Sequence, residues 1–239
     1  MKIRQFYTKY KIPILVTTAL ISSVVVAIVI DRYMLRKTVK IKNKKPKKLL
    51  FVGDSQTAIE TASGKPIKYT YPNLLRKKFP ELQIDVLALG GKVSQWALDN
   101  LPKQLAKDKY DRVYIYTGGN DTSNKSIPLE KTIANIQKMV DLSNEHGADA
   151  YVGLGWKIEG EKGKFGNHNI MPLTKYVNTA EKWLPYVEKR KEFQKRLPKE
   201  IKNANFVPVY DLKQNTSDGI HPNSTGHKMV AEEYAKTLK

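Results

Sequence analysis

Short apolar runs alternate with amphipathic helical patterns after residue 48, and this alternation most constrains the fold. Five runs have the composition of buried strands: Lys48–Gly53, Leu82–Leu89, Arg112–Tyr116, Asp149–Leu154 and Asn205–Tyr210. Five segments have helical periodicity: Tyr71–Phe79, Trp96–Leu105, Leu129–His146, Ala180–Leu197 and Ser224–Leu238. Strands that alternate with helices favour a mostly parallel sheet with helices on both faces, and ligands then bind beyond the carboxyl ends of the strands.

The segment from Gly155 to Lys195 is long for one connection and is rich in Gly, Lys and aromatic residues. Two interpretations stay open, namely a lid or substrate loop and a surface elaboration. Its tryptophans, Trp156 and Trp183, fit an acyl or sugar pocket, but aromatic residues at such spacing more often pack helices. They are therefore not assigned to a site.

A serine stands directly after the first predicted strand, in the tetrapeptide Gly53-Asp54-Ser55-Gln56. At that position it would enter a turn and a helix, where backbone amides and the helix amino terminus favour negative charge. That environment suits a nucleophile. Serine and aspartate are also preferred helix N-caps, so the tetrapeptide alone indicates a cap at least as strongly.

An acid and a histidine, Asp218 and His221, lie in the segment DGIHPN before the last predicted helix. A buried carboxylate that accepts the ring N–H fixes the tautomer, which leaves the other nitrogen to take a proton from a serine hydroxyl. The pair alone also fits a turn acid beside a surface histidine, or half of a metal site. Metal sites need more ligands, and His146, His168 and His227 show no spacing that completes one.

Two glycine pairs follow predicted strands and offer hydrogen-bond donors. The segment GGND, which contains Asn120, follows the third strand, and Gly90 and Gly91 follow the second. Glycine lets a backbone N–H approach a substrate oxygen closely, and an asparagine amide is a neutral donor for an oxyanion. Each pair alone is typical of a turn. Their shared position after strands favours a site at one edge of the sheet.

Together these segments resemble the SGNH hydrolase superfamily, also called GDSL-like esterases, whose four sequence blocks occur here in the family's order. The GGND and DGIHPN segments are specific, whereas the second block is a weak match that favours Gly91 over Gly90. The first block has Gln56 where many members carry leucine, a position with no expected chemical role. No Gly-x-Ser-x-Gly surrounds Ser55, which argues against the nucleophile elbow of α/β-hydrolases.

The resemblance implies a flavodoxin-like, three-layer α/β/α sandwich and assigns roles to five residues. Ser55 would attack an acyl carbonyl, His221 would transfer the proton and Asp218 would orient His221. The backbone N–H groups of Ser55 and Gly91 and the side chain of Asn120 would form the oxyanion hole. Neither a metal nor another cofactor is expected.

The resulting expectation is a serine esterase that releases a small acyl group, such as acetyl, from an envelope glycan or a lipid. A lysophospholipase, a thioesterase or an acyltransferase would use the same triad with a different pocket or acceptor. An alternative from another class is a catalytically silent SGNH-like module that binds carbohydrate or acts as a scaffold. The presence of an acid, a base and a nucleophile disfavours that alternative.

The first 48 residues differ in composition, with 13 of the 42 Lys and Arg residues and a single acid, Asp31. From Ile12 to Ile30 the chain runs for 19 residues without a charge, close to the roughly 20 that cross a bilayer as a helix. This length favours an uncleaved anchor over a signal peptide or a buried helix. The predicted divisions are a basic N-terminus (1–11), a transmembrane anchor (12–30), a basic linker (31–48) and an SGNH hydrolase domain (49–239).

The linker carries nine basic residues and no acid from Arg32 to Lys48, which suits either anionic head groups or solvent. This basic flank favours a cytoplasmic catalytic domain, whereas the resemblance to anchored exported esterases favours an extracytoplasmic one. The rest of the chain is only moderately basic, with 29 Lys and Arg against 22 Asp and Glu, so nucleic-acid binding is not expected. The absence of cysteine excludes disulfides and a thiolate nucleophile.

Overall fold

Residues 45–61, 63–157, 180–212, 215–217 and 220–238 are described by a computed structural model of the chain. Its strands are β1 (Lys48–Gly53), β2 (Gln83–Ala88), β3 (Arg112–Tyr116), β4 (Asp149–Gly153) and β5 (Asn205–Val207). They form one parallel sheet in the order β2-β1-β3-β4-β5, which is the flavodoxin-like order. The helices are α1 (Tyr71–Lys78), α2 (Ser94–Leu105), α3 (Gly119–Ser123), α4 (Leu129–Glu145), α5 (Ala180–Glu200) and α6 (Ser224–Lys236).

Strands β1 and β3 lie inside the sheet, and their side chains are buried on both faces. In β1, Leu50 and Val52 face one hydrophobic core, and Leu49 and Phe51 face the other. Successive side chains of a strand point to opposite faces, so a strand covered on both sides needs a continuous apolar run. The predicted three-layer α/β/α fold is confirmed.

Helices α2, α4 and α5 cover one face of the sheet, and α1 and α6 cover the other. The second face is rich in aromatic rings. Phe51 stacks on Tyr114 with centroids 4.8 Å apart and meets Tyr71 and Tyr234 edge-on at 5.5 and 5.4 Å. Such pairs add about 0.5–1.5 kcal/mol each beyond the burial of their area. They fix α1 and α6 against the strand that leads into Ser55.

The register of the sheet brings three strand ends to one edge. Gly53, the last residue of β1, pairs with Ala88 of β2 and with Tyr116 of β3. The segments that contain Ser55, the Gly90–Gly91 pair and GGND therefore leave the sheet side by side. This is the edge at which parallel α/β sheets bind their ligands.

The chain after Ser55 differs from the prediction, because it forms a single turn in place of a helix. The N–H groups of Thr57 and Ala58 both donate to the Asp54 carbonyl oxygen at 3.0 Å, and the next helix begins only at Tyr71. A single turn presents local amide groups, but it lacks the long row of aligned peptide dipoles that a helix provides. The expected contribution of a helix amino terminus at Ser55 was therefore wrong.

Several element boundaries also differ from the sequence prediction. The GGND segment, predicted as a turn, begins the five-residue helix α3, while α2 begins at Ser94 and β5 ends at Val207. A helix of one turn shows no periodicity that a sequence pattern detects, and helix ends are ambiguous by one or two residues. These differences leave the order of the elements unchanged.

Three predictions fall outside the described residues: the anchor at 12–30, the linker up to residue 44, and Asp218. Most of the segment that follows Gly155 does too, from 158 to 179. In the part of the chain that is described, no helix combines the length and the apolar character needed to cross a bilayer.

Candidate active site

Ser55 and His221 meet at the carboxyl edge of the sheet. The Ser55 Oγ and the His221 Nε2 are 2.8 Å apart, although the two residues are separated by 166 positions in the chain. Ser55 follows β1, and His221 lies in the loop before α6. This distance lies within the range of roughly 2.6–3.2 Å over which a base takes a hydroxyl proton.

The turn that carries Ser55 is tightly packed on its sheet side. The buried Asp54 accepts a hydrogen bond from the Gln56 N–H at 3.1 Å through its Oδ1. A Cβ atom at Gly53 would lie 2.3 Å from the Thr57 Oγ1 and 2.7 Å from the Tyr116 carbonyl oxygen, so only glycine fits there. The backbone leading into Ser55 is thus held on both sides of the serine.

The His221 loop is held by its own backbone. The Ser217 N–H donates to the His221 carbonyl oxygen at 2.8 Å, and the Asn223 N–H donates to the Asn215 carbonyl oxygen at 3.0 Å. Asn223 also caps α6, since its Oδ1 accepts from the Gly226 N–H at 2.9 Å, as N-cap asparagines do. Asp218, the predicted orienting acid, lies between these described residues but is not itself described.

Apart from Ser55 itself, the predicted oxyanion donors lie in the segments that follow β2 and β3. A Cβ atom at Gly90 would lie 3.6 Å from the Ser55 Cβ, and Gly91 adopts the left-handed conformation at φ +75°. The Asn120 Nδ2 donates to the carbonyl oxygen of Lys92 at 2.8 Å. A primary amide carries two N–H groups, so this bond orients the Asn120 amide and leaves a second N–H to donate elsewhere. Gly90 therefore lies close to Ser55 and stays an alternative to Gly91 in the predicted oxyanion hole.

A protein-family model described as the GDSL-like Lipase/Acylhydrolase family matches residues 51–229. The chain belongs to this family. The predicted family and the predicted enzyme class, an SGNH-type hydrolase, are therefore confirmed. No curated protein matches the chain.

Solved structures share the fold of this GDSL-like hydrolase. A GDSL-like lipase from Bacteroides thetaiotaomicron is 15% identical with a TM-score of 0.58, over 87% of this chain and 96% of that one. A catalytic mutant of Axe2, an acetylxylan esterase from Geobacillus stearothermophilus, is 18% identical with a TM-score of 0.56, over 80% and 94%. TesA is 23% identical with a TM-score of 0.55, over 81% and 98%. At these identities the similarity establishes the fold alone.

Two buried ionisable side chains, Asp54 and Arg190, lie next to Gly119 in this GDSL-like hydrolase. Gly119 separates Asp54 from Arg190, since a Cβ atom there would lie 3.3 Å from the Asp54 Oδ2 and 3.0 Å from the Arg190 Nη1. Burial raises the pKa of the Asp54 carboxyl, against the opposing effects of its bond from the Gln56 N–H and the charges of Arg190 and His221. The Arg190 Nη2 also donates to the Tyr116 hydroxyl at 2.8 Å.

Helix α5 holds the GGND segment by a second contact. The Lys189 Nζ donates to three backbone carbonyl oxygens, those of Asp121, Asn124 and Ile127, at 3.2, 2.8 and 2.7 Å. Asp121 is the residue after Asn120, and Asn124 and Ile127 lie further along the same segment. An ammonium group has three N–H donors, so each of them can donate to one of these carbonyl oxygens.

His227 lies beside the candidate base and is kept neutral. Its Nδ1 accepts a hydrogen bond from the Tyr71 N–H at 3.3 Å. Burial, and then the nearby charge of His221, lower the pKa of His227 from 6.5 to about 4. It serves as a neutral hydrogen-bond acceptor for the first residue of α1. Among the described residues, no group of three or more His, Asp or Glu side chains is arranged to hold a metal ion.

Sequence reasoning missed the residues that support the site. Asp121 is fully buried and its Oδ2 accepts from the Ser94 N–H at 2.8 Å, which ties the GGND segment to the start of α2. Trp156 and Gln56 contact the His221 loop, and Lys189 and Arg190 contact the GGND segment. Most of these contacts are to backbone atoms, which leave no signal in a single sequence. For Asp121, the sequence offered one signal, since this residue is the last of the GGND segment.

Proposed function

We propose that this GDSL-like hydrolase is a serine esterase in which Ser55 is the nucleophile, His221 the base and Asp218 the orienting acid. The observation that carries the proposal is the 2.8 Å distance between the Ser55 Oγ and the His221 Nε2. The proposed substrate is a carboxylic ester of a small acyl group such as acetyl, on an envelope glycan or a lipid. The fold shared with esterases such as the acetylxylan esterase Axe2, together with the predicted membrane anchor, supports that choice.

The proposed reaction runs in two halves. The Ser55 Oγ bonds to the acyl carbon as His221 takes the hydroxyl proton, and His221 then gives that proton to the departing alcohol as the ester C–O bond breaks. Water next attacks the acyl-serine, with His221 again acting as the base. The acid is released and the Ser55 hydroxyl is restored.

The developing oxyanion needs fixed donors around Ser55. The proposed donors are the N–H groups of Ser55 and Gly91 and the Nδ2 of Asn120, each of which lowers the barrier by about 3–4 kcal/mol in comparable serine enzymes. The bond from Asn120 to the Lys92 carbonyl oxygen supports this role because it orients the amide before substrate arrives. Gly90 is an alternative source of the second backbone donor, because a Cβ atom built there would lie only 3.6 Å from the Ser55 Cβ.

The proposal includes attachment to a membrane through residues 12–30, with the basic linker against anionic head groups. A catalytic domain held beside a bilayer meets membrane-linked esters at a high effective concentration. Which side of the membrane carries the domain is left open by the sequence, because the charge bias and the family resemblance point in opposite directions.

The test is hydrolysis of p-nitrophenyl acetate and of longer-chain esters by the full chain, beside Ser55→Ala prepared in the same way. We expect turnover that the Ser55→Ala variant loses while it unfolds at the same temperature as the wild type. A preference for acetate over longer chains would support a small acyl group. Equal activity of the two proteins would refute the serine mechanism, and a folded but inert wild type would favour the silent binding module.

A further inference from the structure

The carbonyl oxygen of Ile220, in the peptide bond that leads into His221, accepts hydrogen bonds from two side chains. The Trp156 Nε1 donates to it at 2.9 Å, and the Gln56 Nε2 donates to it at 3.3 Å. Both donors are buried, with 1% of Trp156 and 5% of Gln56 exposed. A buried carbonyl that is satisfied twice by side chains is a built feature of this loop.

The two donors reach the carbonyl from different parts of the fold. Gln56 is the residue next to Ser55, so its side chain links the turn of the nucleophile directly to the loop of the base. Trp156 follows β4, and its ring packs against Tyr116 and Tyr210 with centroids 5.2 and 6.0 Å away. Because the indole is fixed by these rings, its N–H provides a rigid anchor.

These bonds complete a set that holds His221 from both sides. The Ile220 carbonyl belongs to the peptide before His221, and the His221 carbonyl, in the peptide after it, accepts from the Ser217 N–H at 2.8 Å. With both peptide planes held, the position of the His221 Cα and the direction of its Cα–Cβ bond follow. A misplacement of about 1 Å between reacting groups costs about 100-fold in rate.

The Gln56 side chain includes one buried oxygen that lowers the stability of the fold. Its Oε1 is buried and has no hydrogen-bond partner, and an unpaired buried acceptor is destabilising. A leucine, which the resemblance identifies as common at this position, would fill the space without stranding an acceptor. What the Gln56 amide contributes, and a leucine would not, is the N–H that reaches the Ile220 carbonyl. The sequence-based expectation that position 56 has no chemical role did not consider this hydrogen bond.

We propose that Gln56 and Trp156 are paired positioning residues that set His221 against Ser55 through the shared Ile220 carbonyl. The inference rests on the proposed function, because it assigns the two residues a part in the transfer of a proton to His221. It also predicts redundancy. Either donor alone still holds the carbonyl, whereas loss of both removes the two side-chain hydrogen bonds that fix the peptide before the base.

The experiment is a double-mutant cycle with Gln56→Leu and Trp156→Phe in the full chain, with kcat and KM measured on p-nitrophenyl acetate. We expect each single variant to lose a few-fold in kcat and the double variant to fall about tenfold or more below the product of the single effects. KM should change by less than about twofold, because the carbonyl acts on the base and not on ester binding. Effects that simply multiply would overturn the proposal.

A matched cycle controls for the loss of a tryptophan. Trp96 lies on α2 and packs against the other hydrophobic core, so Trp96→Phe combined with Gln56→Leu should give a simple product. Thermal melts of all variants identify any that fail to fold. If Trp156→Phe is one of them, Gln56→Leu is compared with Gln56→Met, which also lacks the N–H and should show the same loss.

A second measurement separates this inference from the proposed function. The imidazole of His221 should give one ring environment in nuclear magnetic resonance spectra of the wild type and several, or a broadened one, in the double variant. A wild type that neither cleaves esters nor reacts at Ser55 with an activated ethylphosphonate would refute the esterase proposal. A single, unchanged His221 environment in the double variant would refute the positioning role whatever the activity.

Discussion

Asn120 differs from the other proposed donors because its side chain joins two of the loops at the site. Its amide comes from α3 and is oriented by the Lys92 carbonyl, which follows Gly91. An amide that is already oriented loses little entropy when it binds an oxyanion, and such preorganisation is the main source of stabilisation in sites of this kind.

Removal of this amide should therefore slow the chemical step. We expect Asn120→Ala to lower kcat on p-nitrophenyl acetate by about 100-fold or more with little change in KM. Lys125→Ala, at an exposed position on the same segment, is the control and should stay near the wild-type rate. Equal rates for the two variants would remove Asn120 from the oxyanion hole.

The lowered pKa of His227 predicts how the stability of the fold depends on pH. Its pKa in the folded protein is about 4, below the 6.5 of a free histidine, so the unfolded chain takes up the proton first as the pH falls. The free energy of unfolding should then decrease between pH of about 6.5 and about 4. In His227→Gln, whose amide oxygen can still accept from Tyr71, this decrease should be smaller in denaturant titrations. Parallel pH curves for the two proteins would contradict the assignment.

At the scale of elements, α5 acts as a brace for the segment that carries Asn120. The Lys189 ammonium donates to the carbonyl groups of Asp121, Asn124 and Ile127, and Arg190 lies against Gly119. Helix α5 lies at the C-terminal end of the long segment after β4, which the sequence analysis interpreted as either a lid or a surface elaboration. Through Lys189 and Arg190, this helix contacts the segment that carries Asn120.

Lys189→Met should remove the three hydrogen bonds by which α5 holds the segment after Asn120. Hydrogen bonds to a charged group contribute about 1.5–3 kcal/mol, and part of Lys189 is in contact with solvent, so we expect unfolding to be easier by about 1–2 kcal/mol. The value of kcat should fall while KM stays constant. Lys195→Met, at an exposed position of the same helix, should change neither quantity. Combination with Asn120→Ala should abolish the effect of Lys189→Met on kcat.

The sequence predicted elements whose signal lies in their own residues. The strand Lys48–Gly53 was predicted with its observed bounds because its side chains are apolar on both faces. Helix α3 was missed because five residues carry no periodicity. The single turn after Ser55 was wrongly predicted to continue as a helix. Ser55, Asn120 and His221 were candidates because their chemistry shows in their side chains. The roles of Gln56, Trp156 and Lys189 were not predictable, since each acts on a backbone carbonyl.

At the scale of the whole molecule, residues Lys44–Lys239 form one compact unit, and the predicted anchor at 12–30 precedes this unit in the sequence. We expect the full chain to sediment with vesicles that contain anionic lipid and to resist extraction by high salt, because an apolar span binds independently of charge. Residues 44–239 should stay in the supernatant and cleave p-nitrophenyl acetate at the rate of the full chain. Salt-released binding of the full chain would instead indicate attachment by the basic linker alone.

The 166 positions between Ser55 and His221 also fix when activity can arise during synthesis. A ribosome makes Ser55 long before His221, and α6, which packs on α1 and the central strands, follows His221. Under the proposed mechanism, a nascent chain that lacks these later residues has a nucleophile with no base. Translation that stops short of His221 should then yield an inert polypeptide, so hydrolysis would report that synthesis has passed the histidine.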